Sequence, residues 1–99
     1  MIIPSDEIVY NKVVGKQGNR TLRAVGTCGG LHLIEARSPD GRKEVIGAGS
    51  HRAVARHIAK RAYPDIEFTS LEKSSEVDVR DFEDILPFWI EIVNRVRNI

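Results

Sequence analysis

Cysteine, aromatic residues and long apolar runs are all scarce in this chain of 99 residues, and each scarcity removes a class of protein. The single cysteine, Cys28, excludes an intramolecular disulfide and any multi-cysteine zinc site. No apolar run approaches the roughly 18 residues of a membrane-spanning helix. The opening residues, Met1-Ile2-Ile3-Pro4-Ser5-Asp6-Glu7, show no basic region followed by an apolar stretch, so the cytoplasm is the expected location. His32, His51 and His57 are the only histidines, and none has a second ligand at the i+3 or i+4 spacing of a helical metal pair, so no metal is expected. Cys28 falls in Thr27-Cys28-Gly29-Gly30 with no base beside it, and Asp81, Glu83 and Asp84 suit a helix dipole better than general acid–base work. Neither a catalytic residue nor a cofactor is expected.

What the chain does have is charge, unevenly placed. The total of 15 Lys+Arg against 14 Asp+Glu gives a net +1. Residues 1–10 carry only Asp6 and Glu7, a net of −2. Residues 11–62 carry eleven basic side chains against Glu35, Asp40 and Glu44, a net of +8, and residues 63–99 carry nine acids against four bases, a net of −5. Such a division is typical of chains that meet a polyanion, of which nucleic acid is the commonest. The alternative is that the acidic C-terminal part folds back and neutralises the basic part.

The hydrophobic pattern predicts strands over Glu7–Val14, Thr21–Thr27, Leu31–Arg37, Arg42–Ile46 and Ile66–Leu71. The cluster Gly15-Lys16-Gln17-Gly18-Asn19, the pair Gly29-Gly30 and the β-turn Ser38-Pro39-Asp40-Gly41 separate the first four. After Gly47-Ala48-Gly49, Ser50 is placed to cap a helix over His51–Ala62 whose apolar stripe is Val54, Ala55, Ile58, Ala59 and Ala62, with Pro64 ending it. A last helix starts between Asp81 and Asp84, with Pro87 in its first turn. The expectation is a small single α+β domain over residues 1–99. It is an antiparallel sheet in the order β-β-β-β-α-β-α with two helices packed on one face, a basic part over 11–62 and an acidic strand–helix part over 63–99.

On the first helix Arg52, Arg56 and Lys60 fall at i, i+4 and i+8, with no acid between Ser50 and Ala62. Like charges at that spacing destabilise an isolated helix by about 0.2–0.5 kcal/mol per pair, and Arg52 sits at the positive end of the dipole. An anion is needed to relieve the arrangement. From the strands come Arg23 and Arg37, and from the hairpin Arg42 and Lys43. These seven cations are the expected contacts to duplex nucleic acid, chiefly to its phosphates. Phe68, Phe82, Phe88 and Trp89 all fall in the acidic part, which argues against a stacking platform for single strands.

The run Leu31–Arg37, the turn Ser38-Pro39-Asp40-Gly41, the strand Arg42–Ile46 and the alanine-rich helix after Gly47 resemble the three-stranded sheet plus helix of Apetala-type DNA-binding domains and of integrase arm-binding domains. That resemblance implies duplex DNA binding through the sheet. Gly47-Ala48-Gly49-Ser50-His51-Arg52 is similar to the loop that opens the last helix of double-stranded-RNA-binding domains. A different class is implied by the Gly47-x-Gly49 turn before a helix, which resembles the central part of GNAT acetyltransferases. There Gly47, Gly49, Ser50 and Arg52 would cradle a coenzyme A pyrophosphate.

The last helix is apolar over more than one stripe. Phe82, Ile85, Leu86, Trp89, Val93 and Val96 follow helical spacing, and Phe88, Ile90, Ile92 and Ile99 lie on other faces. Phe88, Trp89, Ile92 and Val96 are therefore the expected contact surface for a homodimer or a protein partner. The sequence thus points to a small non-enzymatic binding protein: a duplex nucleic-acid binder first, and a protein-interaction or inhibitor module as the alternative.

Overall fold

The computed structural model describes residues 8–69 and 84–96. Strands β1 (Ile8–Gln17), β2 (Arg20–Thr27), β3 (His32–Arg37) and β4 (Lys43–Gly49) lead into helix α1 (Arg52–Ala62), a short strand β5 (Glu67–Phe68) and helix α2 (Leu86–Val96). All five strands form one antiparallel sheet in the order β4-β3-β2-β1-β5. The α+β class and the chain order are as the sequence predicts.

Element ends differ from expectation for identifiable reasons. β1 runs to Gln17 because the β1–β2 turn needs only Gly18 and Asn19, with Gly18 at φ 60° as a two-residue hairpin of the II′ kind requires. Lys16 and Gln17, expected in the turn, are paired strand residues. β4 continues through Gly47-Ala48-Gly49, which reads as a turn in the sequence. α1 then begins one residue late. Its N-cap is His51 in extended backbone without a side-chain capping bond, while the Ser50 hydroxyl lies 3.2 Å from His51 Nδ1. A short turn at Asp84 and Ile85 precedes α2, and Pro87 falls in the first turn of that helix. The expected strand residues Ser70 and Leu71, and the expected helix start between Asp81 and Glu83, lie outside the described residues.

Consecutive strand residues point to opposite faces, and here both faces find apolar partners. Val14, Leu22, Ala24, Ile34, Ala36 and Ile46 pack with Ala55 and Ala59 of α1 and with Ile66. Val25, Leu33 and Ala48 pack with Val54 and Ile58 of α1 and with Leu86 and Val93 of α2. The helices meet along β4 and touch each other there. Their approach to β4 depends on small residues. A Cβ on Gly47 would sit 2.2 Å from the Ala55 carbonyl oxygen, and one on Gly49 would sit 2.7 Å from Val54 Cγ1.

Candidate nucleic-acid interface

Register decides which charges share a surface. Two irregularities in β1 and one in β4 break the simple alternation, leaving Val14 and Ile46 as inserted residues that enter the core. As a result Lys16, Thr21, Arg37 and Lys43 are successive cross-strand partners on β1, β2, β3 and β4. The adjacent row is Val13, Arg23, Glu35 and Val45, and the next is Asn11, Val25, Leu33 and Ala48. All three rows share one sheet face, away from the Ala24 and Ile34 side on which Ala55 and Ala59 of α1 pack. One end of this face is apolar and closed by Leu86 and Val93 of α2. The other end is charged, and carries Lys16, Arg23, Arg37 and Lys43. At about 4.8 Å per strand, the row from Lys16 to Lys43 spans about 14 Å.

The hairpin tip extends this end. Gly41, at φ 91°, closes the turn, its amide donating to the Ser38 carbonyl at 3.0 Å. Asp40 Oδ1 accepts the Arg42 amide at 3.1 Å, and Asp40 Oδ2 lies 3.2 Å from Arg42 Nε. Arg42 is therefore displayed at the tip with its own counter-charge beside it. Arg23 Nη1 donates to Asn11 Oδ1 at 3.2 Å, and Arg37 Nη2 lies 3.5 Å from Glu35 Oε1.

The helix cations do not join this surface. Arg52 sits with its guanidinium carbon 5.5 Å from the Tyr10 ring centroid, on the α1 side of the sheet. Lys60 Nζ donates to the Ile66 carbonyl oxygen. Arg56 is half-buried on α1 and engaged in further interactions, as is Arg52. The single sheet-and-helix face expected from the sequence thus divides. Arg23, Arg37, Lys43 and Arg42 come together, whereas Arg52, Arg56 and Lys60 belong to the helix side.

The three acids of the basic segment each meet one of its own cations. Glu35 pairs with Arg37, Asp40 with Arg42, and Glu44 with Arg20 at 3.1 Å. Glu44 also accepts from the Tyr63 hydroxyl at 2.9 Å, and Arg20 lies over the Tyr63 ring at 4.9 Å. Lys16 meets Glu67 of β5 at 3.7 Å with both side chains well exposed. Lys16, Asn11 and Glu35 are site residues that sequence reading missed. Lys16 was hidden by the assumption of a long turn, and only the bulge at Val14 turns it to the Arg37 face.

Beside the start of α1, the Tyr10 hydroxyl is 2.7 Å from His32 Nδ1. Burial first, then the Arg52 and His51 charges, hold the His32 imidazole below its ordinary pKa, while burial pushes the Tyr10 hydroxyl up. A neutral His32 with its hydrogen on Nε2 accepts from the Tyr10 hydroxyl at Nδ1, and the other tautomer donates to it. Gly47 and Gly49, which resemble a phosphate-cradling turn, are buried and paired in β4 with Ile34 and His32, so they serve the packing of α1.

On α2, Phe88 is 55% exposed and meets the half-buried Trp89 edge-on at 5.1 Å. Trp89 and Ile92 pack against the second apolar cluster, and Val96 is the last residue of the helix. Of the expected contact surface, Phe88 stands outward, joined by the exposed Ile85. No helix is long and apolar enough to cross a membrane among the described residues. No protein-family model, curated protein or solved structure matches the chain.

Proposed function

We propose that this protein binds duplex nucleic acid in the cytoplasm through the charged end of the open sheet face, with no chemistry performed on the ligand. The observation that carries the reading is the register row of Lys16, Thr21, Arg37 and Lys43 with Arg23 beside it: cations from four successive strands on one face. Its span of about 14 Å is comparable to the roughly 12 Å width of a B-form major groove. Lys16, Arg23, Arg37 and Lys43 each meet a backbone phosphate, and Arg42 reaches beyond them from the hairpin tip.

Four such contacts predict a slope of about −3.6 for log affinity against log salt on B-DNA, a loss on the order of a hundredfold between 50 and 200 mM salt. The test is fluorescence anisotropy with a labelled random-sequence duplex across that range. An Arg23→Ala/Arg37→Ala variant should bind at least tenfold more weakly with a shallower salt slope. Absence of binding at 50 mM salt, or full affinity in the double variant, refutes the reading.

A second reading, a homodimer or protein contact through α2, is supported by the outward Phe88 and Ile85. It predicts that Phe88→Asp lowers the solution mass to that of a monomer. A wild-type protein already monomeric at high concentration counts against the homodimer.

A further inference from the structure

Two acids lie at the charged end of the sheet where duplex binding would favour none: Glu67 of β5 stands well exposed at its edge beside Lys16, and Glu35 lies in its middle. Glu35 lies in the same row as Arg23, is its cross-strand partner on β3, and pairs with Arg37 two residues along the same strand and face at 3.5 Å. Its side chain is only 22% exposed, so its carboxylate lies down on the sheet beside the Arg37 guanidinium. Like charges set opposite one another on a sheet are destabilising, and Arg37 and Lys43, directly opposite on β3 and β4, would face each other unrelieved without it.

On the duplex-binding reading above, on which this inference rests, we propose that Glu35 is the built-in counter-anion of the interface. Its carboxylate stands in for a phosphate in the free protein and gives up Arg37 when a polyanion arrives. A tethered carboxylate competes at high effective concentration. A single small anion therefore displaces it poorly, whereas a duplex, which engages Lys16, Lys43 and Arg42 at the same time, can do so. Glu35 sets the affinity threshold and makes the face select arrays of phosphates over free phosphate.

The experiment is anisotropy with a labelled random 20-base-pair duplex at low salt for wild type, Glu35→Gln, Glu35→Asp and Arg23→Ala/Arg37→Ala, with inorganic phosphate as competitor. Glu35→Gln should bind about two- to fivefold more tightly, the fold-change that the loss of a surface-type ion pair to the competing acid implies. Glu35→Asp should stay near wild type. Phosphate should compete more effectively against the Gln variant. The melting temperature of Glu35→Gln should fall at low salt and recover as salt is added. Should Glu35→Gln fail to fold, Glu35→Ser carries the same prediction.

If the double arginine variant loses affinity while Glu35→Gln binds no tighter than wild type, the counter-anion role is wrong and the duplex reading stands. If wild type and Glu35→Gln both fail to bind, both are wrong.

Discussion

The two faces of the sheet are built from the same strands and answer to different physics. On the α1 side, Leu22, Ala24, Ile34 and Ala36 are almost completely buried, and alanines and glycines let α1 come close to β4. At Gly47 and Gly49 there is no room for an extra methyl group. The other face is buried only where α2 closes it, and beyond Val25 and Leu33 Arg23, Glu35, Lys16, Arg37 and Lys43 stand there beside Val13 and Val45. Stability is concentrated on the first face, where each buried methylene contributes about 0.8 kcal/mol. Exposed ion pairs such as those on the second contribute about 0–1 kcal/mol.

That contrast can be broken from either side. Ile34→Ala, which empties a fully buried site between strands and α1, should cost about 3 kcal/mol in urea unfolding. Gly47→Ala should cost about 2 kcal/mol by forcing α1 off the Ala55 carbonyl. Arg23→Ala/Arg37→Ala should change stability by less than about 0.5 kcal/mol per site, while duplex affinity drops at least tenfold. A stability loss as large as that of Ile34→Ala would show that the open face is structural.

Tyr10→Phe, which leaves His32 Nδ1 without its hydrogen-bond partner, should cost about 1 kcal/mol. The smallest expected effect is on pH dependence. The folded chain holds His32 below its ordinary pKa of 6.5, so the unfolded chain takes up the proton more readily and acid favours unfolding. The His32 contribution is fully present above pH 6.5 and fades as pH falls through the lowered folded value. His32→Gln should flatten the melting temperature between pH 7 and 5 relative to wild type, and an unchanged slope would remove His32 from the account.

Much of the fold was legible because it is local. The Ser38–Gly41 turn, the apolar stripe of α1 and the sheet-forming strands follow from proline, glycine and periodicity within a few residues. The strand bulges were not legible. An inserted residue such as Val14 or Ile46 is chosen by the core it fills, and the core is assembled from distant segments. The same limit applied to the candidate site. Sequence spacing placed Arg52, Arg56 and Lys60 in line along α1 and set Arg23, Arg37 and Lys43 beside the hairpin, but it carried no measure of which side of the sheet the helix would cover. The glycines 47 and 49 were misread for a related reason. A glycine that opens a loop and one that admits a helix look alike until the helix is docked.

Charge order alone determined that the chain carries a strongly basic segment with only three acids, and hydrophobic periodicity with turn residues that it forms an antiparallel sheet with two helices. Tertiary structure decided how that charge is distributed. Pairing in register brought Glu44 onto Arg20, turned Lys16 and Arg23 to the face of Arg37 and Lys43, and left the helix cations on the other side. The reason is that Coulomb interactions act over a few ångströms of space while the sequence orders residues only along the chain, and the sheet register converts one distance into the other.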